Sequence, residues 1–293
     1  KNLGNMELIM NENKIGLVLE GGGHRGIYTA GILDTFAQNN ISFDGIMGVS
    51  AGCIHGVSFL SGQIGRSVRY TTRFCNNPSY MSFKSLIKTG DFFNVDFCYY
   101  KLPETLDPFD NDAFDKNPTP FYAVCSDVKT GKAVYHQCDS VRGEKIKWIQ
   151  ASASMPLAAK IVKIDEGEFL DGGITDSIPI KKMQELGYSK NIVILTQEAG
   201  YRKKPNSLLP LIKRVYKKYP ELINAIQNRH IIYNQQLDYL EEQEKLGNVI
   251  IIRPSQKPQA GRIEKDKEKI LSTYNLGRND AEKLLETIKN FIR

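Results

Sequence analysis

The first clear pattern in the chain is a short apolar run, Lys14 to Leu19, that stops at three consecutive glycines. Its apolar continuity predicts a strand buried on both faces, as in a parallel sheet. After Gly26 the residues Ile27, Ala30, Gly31, Leu33, Asp34 and Phe36 recur at helical spacing with their apolar members on one face. Asn39-Asn40 is the stop signal. Phe43 to Val49 reads as a second strand and Ala51 to Leu60 as a second helix, so the first sixty residues follow the alternation of an α/β protein.

Further along, residues 76–120 mix aromatics, Asp and Pro and predict loops with short helices. Phe121 to Cys125 and Ala133 to Tyr135 read as a hairpin turning through Thr130-Gly131, and Ile161 to Ile164 with Phe169-Leu170 as another around Glu166-Gly167. Between them Lys145 to Ser152 has helical texture, ending before Met155-Pro156. Asn191 to Leu195 supplies one more buried strand. Beyond Gly200 charged helical patterns dominate: Leu208 to Tyr219, Glu221 to Leu246, Ile263 to Tyr274 and Asp280 to Ile292, with a strand candidate at Val249 to Arg253. The expected organisation is a leader or tail over 1–13, an α/β body over 14–199, and a mainly helical region over 200–293 packed on it.

A chain of 293 residues, 41% apolar and 25% charged, has the composition of a globular protein and excludes a collagen-like, coiled-coil or disordered chain. Its longest apolar runs, such as Gly16 to Leu19 and Ile192 to Leu195, fall far short of the roughly 20 residues of a membrane-spanning helix. The first residues lack the apolar stretch of a secretory signal. Five scattered cysteines without a CxxC favour reduced thiols filling the core, hence a cytoplasmic location. Neither paired Cys nor HExxH spacing appears, so no metal is expected. The net charge of +6 suits an acidic surface partner without demanding one, and no nucleic-acid-binding module is present.

Three short signals could carry chemistry. Gly21-Gly22-Gly23-His24-Arg25-Gly26 lies between a strand and a helix. Backbone N–H groups at a helix N-terminus, unobstructed by side chains, can hold a phosphate or the oxyanion of acyl transfer. Gly48-Val49-Ser50-Ala51-Gly52 is a GxSxG between an apolar strand and a helix, the context in which a strained serine projects its hydroxyl. Asp171-Gly172-Gly173 sets an acid at a strand end, although Asp-Gly alone is also an ordinary turn. A serine nucleophile needs a base, and none of the four histidines suits. His24 lies inside the glycine loop, and His55 is about 140° round the helix from Ser50. His136 follows a strand, and His230, the only one after Asp171, sits in a helical pattern. A Ser–Asp pair therefore reads better than a His-based triad.

GLVLEGGGHRG, GVSAG and DGG in this order, with ASASMP at Ala151 to Pro156 ahead of the acid, resemble the patatin-like phospholipase family over roughly residues 14–200. The helical texture after residue 200 resembles the extra region of a bacterial subfamily. The resemblance implies a mainly parallel central sheet flanked by helices. It also implies a serine acyl hydrolase acting on lipid esters without a cofactor. Carried over, Ser50 is the nucleophile, Asp171 its partner, and Gly21, Gly22, Gly23 and Gly26 form the oxyanion hole. Arg25, Gly48, Gly52, Gly172 and Gly173 support the motifs. Gly173 stands where many members have Ala, a change the motif allows, and His24 occupies a variable position.

Arg25 reads either as a structural ion pair or as a donor fork for a substrate phosphate. Tyr201 to Pro220 holds seven basic residues and no acid, interleaved with Leu208, Leu209, Leu211, Ile212 and Val215. Such a segment can lie on an anionic membrane or pack on the body with a solvated charged side. Two rival classes fit the residues less well. A nucleotide-binding oxidoreductase wants an acid at the end of the second strand, where Ser50 stands instead of one; Asp44 precedes the strand residues Ile46 to Val49. A catalytically silent lipid-binding protein has no sequence feature in its favour.

Overall fold

The computed structural model describes residues 14–165 and 167–293. The leader or tail expected over 1–13, and Glu166 of the second hairpin, lie outside the described residues. In chain order the elements are β1 (Ile15–Leu19), α1 (Ile27–Gln38), β2 (Gly45–Val49), α2 (Ala51–Leu60), α3 (Arg66–Phe74) and α4 (Phe83–Thr89). A π-type helix (Asp96–Leu106) and α5 (Asn111–Lys116) precede β3 (Phe121–Asp127), β4 (Ala133–Gln137), α6 (Ile146–Ser152), β5 (Val162–Ile164), β6 (Gly167–Asp171) and α7 (Ile180–Glu185). The last are β7 (Lys190–Ile194), α8 (Leu209–Val215), α9 (Pro220–Lys245), β8 (Val249–Ile252) and α10 (Lys267–Ile292).

All eight strands form one sheet in the order β5-β6-β3-β2-β1-β7-β8, with β4 paired to β3. From β3 through β8 that path is parallel, whereas β4, β5 and β6 join antiparallel. Side chains alternate across the sheet. Leu17, Leu19, Ile46, Ile192 and Ile194 enter the core under α1, α2 and α10, while Val18, Met47, Val49 and Val193 pack with Met183 of α7 and with Tyr233, Leu237 and Leu240 of α9. The chain runs outward from β1 to β2 and β3, then returns to the other side of β1 as β7. The carboxyl ends of β1 and β7 therefore flank the point where the order reverses, which is where open α/β sheets form crevices.

Residues 66–74 form a helix over a stretch that sequence reading left unassigned. Two expectations need correction. The helix expected over 208–219 is only Leu209–Val215, because Pro220 restarts the chain as α9. The two helices expected over 263–292 are one, which runs through Gly277. A Cβ there would lie 2.0 Å from the Tyr28 carbonyl oxygen, and one at Gly31 would lie 2.2 Å from that of Tyr274. The two glycines bring α1 and α10 into backbone contact. The C-terminal region also contributes β8, which pairs in parallel with β7 and extends the sheet.

Candidate active site

Ser50 follows β2 with φ 55° and ψ −122°, a sparsely populated conformation of a kind that costs about 1–3 kcal/mol. The surroundings hold it there. Its amide donates to Ser152 Oγ at 3.0 Å. A Cβ at Gly48 would meet Cys53 Cα at 2.6 Å, and one at Gly52 would meet the Leu19 carbonyl oxygen at 2.4 Å. Only glycines let the first turn of α2 lie this close to β1 and β2.

Asp171 ends β6, five per cent exposed against eight for Ser50. Its amide donates to the Ser154 carbonyl oxygen at 2.8 Å, and its Oδ1 accepts from the Gly173 amide at 2.8 Å. A Cβ at Gly172 would lie 2.1 Å from the Val124 carbonyl oxygen, so the turn rests directly on β3. Ser50 and Asp171 border the same small cavity. Burial pushes the Asp171 carboxyl above its ordinary value; the Ser50 hydroxyl, the charges of Arg229 and Arg262 and the Gly173 amide oppose the rise without cancelling it. Ser152 and Ser154, two residues apart, thus hold the backbones of Ser50 and Asp171. Their signal was ASASMP, to which sequence reading gave no positioning role.

The glycine loop closes over this pair. A Cβ at Gly21 would lie 2.7 Å from Ser50 Cβ, and one at Gly22 would lie 2.9 Å from Thr196 Oγ1 beyond β7. Gly23 has a φ of +59° and abuts the Arg262 carbonyl, which accepts from the His24 amide at 3.0 Å. His24 Nδ1 in turn accepts from the Glu264 amide at 2.9 Å. Burial pushes the His24 imidazole down to about 4, leaving it neutral at physiological pH. Gly26 packs against Ala51 Cβ and borders neither cavity beside Ser50, so its place is one of packing. His55 faces Ser67 Oγ at 3.0 Å, His136 stacks on Trp148, and His230 lies on α9 beside Gln227.

Ser50 lies on a wall shared by two cavities. One, of about 410 Å³, is largely apolar, with Ile27, Ile54, Tyr70, Tyr99, Leu102 and Phe109 in its lining. The other, of about 170 Å³, lies beyond the carboxyl ends of β1 and β2 and is bordered by Glu20, Arg25, Asp171, Lys203, Arg229 and Arg262. Arg25 faces a hydroxyl: its Nε and Nη2 lie 3.4 Å from Thr196 Oγ1. Lys203, Arg229 and Arg262, contributed by the C-terminal region, went unnoticed as site residues because nothing in sequence relates them to residue 50. Among the described residues, no cluster of His, Cys, Asp or Glu is placed to hold a metal ion.

A sequence model of patatin-like phospholipases matches residues 17–183, more than half of the chain and both halves of the Ser50–Asp171 pair. The chain belongs to the patatin-like phospholipase family. Residues 219–293 match a domain of unknown function, DUF6363. The uncharacterized protein YjjU of Escherichia coli is 25% identical over 78% of this chain and 65% of its own length. An uncharacterized NTE family protein of Mycobacterium tuberculosis is 22% identical over 75% of this chain and 60% of its own. The lysophospholipase nte1 of Aspergillus terreus is 28% identical over 59% of this chain but only 11% of its own length. The chain thus spans less than two thirds of these relatives. VipD from Legionella pneumophila shares the fold, with a TM-score of 0.50 at 13% identity over 94% of this chain and 67% of that one.

Proposed function

We propose that this patatin-like protein is a serine acyl hydrolase that cleaves carboxylic esters of lipids, including phospholipids, through Ser50 and Asp171. One observation carries the reading. A strained serine shares a small cavity with a buried carboxylate, lies under a glycine loop and also borders an apolar cavity. Family membership and the name of the Aspergillus relative support the same chemistry.

In this mechanism Ser50 Oγ attacks the ester carbonyl while its proton passes to the Asp171 carboxylate. The carbonyl oxygen becomes an oxyanion aimed at the backbone N–H groups of Gly22 and Gly23, where a single donor can be worth about 3 kcal/mol. Collapse expels the alcohol, which takes the proton back from Asp171 and leaves the acyl group on Ser50. Water then attacks and gives a proton to the same carboxylate; collapse releases the fatty acid as Ser50 Oγ takes that proton back from Asp171. Burial of Asp171 favours this role, because it makes the carboxylate a better base. The apolar cavity suits the acyl chain, and its volume falls within the range of about 300–1,000 Å³ usual for ligand sites.

No helix among the described residues is long and apolar enough to cross a membrane. For a lipid substrate we infer peripheral contact through 201–220. Leu208, Leu211 and Val215 are exposed there, beside the basic residues Lys213, Arg214, Lys217 and Lys218, whereas Ile212 is buried in the body. Co-sedimentation with anionic vesicles and none with neutral ones is the expected result.

The deciding experiment exposes wild type, Ser50→Ala and Asp171→Asn to a fluorophosphonate probe and a series of p-nitrophenyl esters. Labelling and turnover that disappear in both folded variants support the reading. Absence of labelling in folded wild type would overturn it in favour of a lipid-binding protein.

A further inference from the structure

The smaller cavity is as distinctive as the larger one. Arg25, Lys203, Arg229 and Arg262 reach it from four separate segments, and three of the four come from beyond residue 200. Two carboxylates face them, and both are already engaged. Glu20 accepts from the Tyr233 hydroxyl at 2.6 Å and from the Thr196 amide at 2.6 Å. Asp171 is held by the Gly173 amide. The cations, in contrast, are under-used. Arg229 Nε is buried without a hydrogen-bond partner, and Arg25 has only the long contacts to Thr196. The Lys203 ammonium lies over the Tyr233 ring, 4.1 Å from its centroid.

Four cations against two engaged carboxylates leave an excess of positive charge in a confined space. Such an arrangement is costly when empty and becomes favourable around an anion. Charge-assisted and bidentate hydrogen bonds from Arg suit a phosphate group. The position fits as well, since the cavity shares Ser50 with the apolar cavity. An ester held at Ser50 can extend its chain into one cavity and its head into the other.

We infer that the C-terminal region completes a phosphate subsite beside Ser50, formed by Arg25, Lys203, Arg229 and Arg262, and that a phosphomonoester headgroup with two negative charges fits it better than zwitterionic phosphocholine. The substrate half of this inference rests on the acyl-hydrolase reading; the anion site does not. A quaternary ammonium needs an open aromatic face or a free carboxylate. Here Lys203 already covers Tyr233, and both carboxylates are engaged. The same cluster acts on Lys203. Burial and the charges of Arg229, Arg262 and Arg25 push its ammonium down to about 7, against the pull of Glu20.

The test has one arm with catalysis and one without. Three esters of one acyl chain are compared: a monoacylglycerol, its 3-phosphate and its phosphocholine. The phosphomonoester is expected to exceed the phosphocholine about tenfold or more in kcat/KM, and Lys203→Gln, Arg229→Gln or Arg262→Gln should erase that preference, chiefly through KM. Arg262 is exposed, so its replacement is the least threat to folding. In the second arm, glycerol 3-phosphate is titrated calorimetrically into Ser50→Ala, with Lys203→Gln in the same background expected to abolish the heat. Inorganic phosphate, the same group without a chain, should raise KM for the phosphomonoester and leave kcat in place.

Hydrolysis of all three esters with no preference and no binding would overturn the subsite and leave the hydrolase standing. Binding of glycerol 3-phosphate with no hydrolysis of any ester would overturn the hydrolase and leave the subsite standing. Preference for phosphocholine, or phosphate that binds without moving KM, would overturn the headgroup assignment.

Discussion

The two cavities that meet at Ser50 are built in opposite ways. The apolar one is lined almost wholly by the interval from Gly23 to Met155, within the body that carries the motifs. The basic one gathers Glu20, Arg25, Asp171, Lys203, Arg229 and Arg262, side chains separated by up to the greater part of the chain. Only the first can be assembled from neighbouring sequence, since apolar lining follows from local pattern. The second depends on where the sheet's strand order places β7 and the helices after it. A site for a chain can thus be shared across a family, while a site for a charged head is set by whatever region is attached behind it.

The strongest test of a shared centre is to remove it. Ser50→Ala and Asp171→Asn are each expected to lower kcat about 10⁴-fold or more, by analogy with other nucleophile–base pairs that act as a unit. The loss should be the same for neutral and phosphate-bearing esters. If one class survived, the two cavities would not serve one centre.

Blocking a single cavity sharpens the comparison next. Ala153 lines the apolar cavity beside Ser50. Ala153→Phe should cut kcat/KM for long-chain p-nitrophenyl esters by about 10–100-fold, the worth of a few buried methylenes. The acetate ester should be affected far less. Equal loss for acetate and long-chain esters would show that the chain does not occupy this space.

The contact between body and C-terminal region can be strained without touching either cavity. At Gly277, Ala would place a methyl carbon on the Tyr28 carbonyl oxygen, where α10 crosses α1. Overpacking of this sort costs about 1–3 kcal/mol, read as a lowered Tm in thermal denaturation. Because α1 begins at the glycine loop and the 262–264 segment clamps that loop, headgroup preference should weaken together with stability. An unchanged Tm would mean that α10 sits more loosely on α1 than the backbone contact implies.

Legibility in the sequence divides along the same line. Lys14 to Leu19, the helix after Gly26, Ala51 to Leu60 and the hairpin at Phe121 were legible because strand and helix periods and glycine punctuation are local signals. The strained turn at Ser50 was legible as a GxSxG between strand and helix, whereas Asp171-Gly172 alone read equally as an ordinary turn and was paired with Ser50 through the family resemblance. The break expected between Tyr274 and Asp280 was wrong because Gly277, which lies in that interval, serves a close crossing of two helices that composition does not show. The cations of the second cavity were hidden more completely. Lys203 sits in a run whose other basic residues face solvent, and in sequence Arg229 is one more charge on a long helix. Only the turn of the chain back to β7 and on to α9 brings them to Ser50.

The smallest expected effect is also the most specific to the basic side. Asp171 must be ionised to accept the Ser50 proton, and burial holds its carboxyl above the ordinary value. The acid limb of kcat/KM should therefore lie above the range of a free aspartate. Arg229 is the stronger of the two cationic influences opposing that rise, so Arg229→Gln should let the carboxyl climb further and move the limb upward, measured on a neutral ester. Stability carries the matching sign. With its folded value raised, Asp171 binds its proton more tightly in the native state, so its contribution is present at low pH and is lost as pH rises through the raised value. Lys203 runs the other way. Its native ammonium is depressed to about 7, so stability is gained as pH rises from there toward the ordinary lysine value. An anion in the cavity should draw a proton onto Lys203, and calorimetry near pH 8 in buffers of different ionisation enthalpy should register that uptake. The groups around it, Glu20, Arg25, Arg229 and Arg262, all act on the basic side of Ser50. Chain-length preference, set in the apolar cavity, should stay flat over the pH range in which headgroup preference moves. If the two moved together, the division of labour across Ser50 would fail.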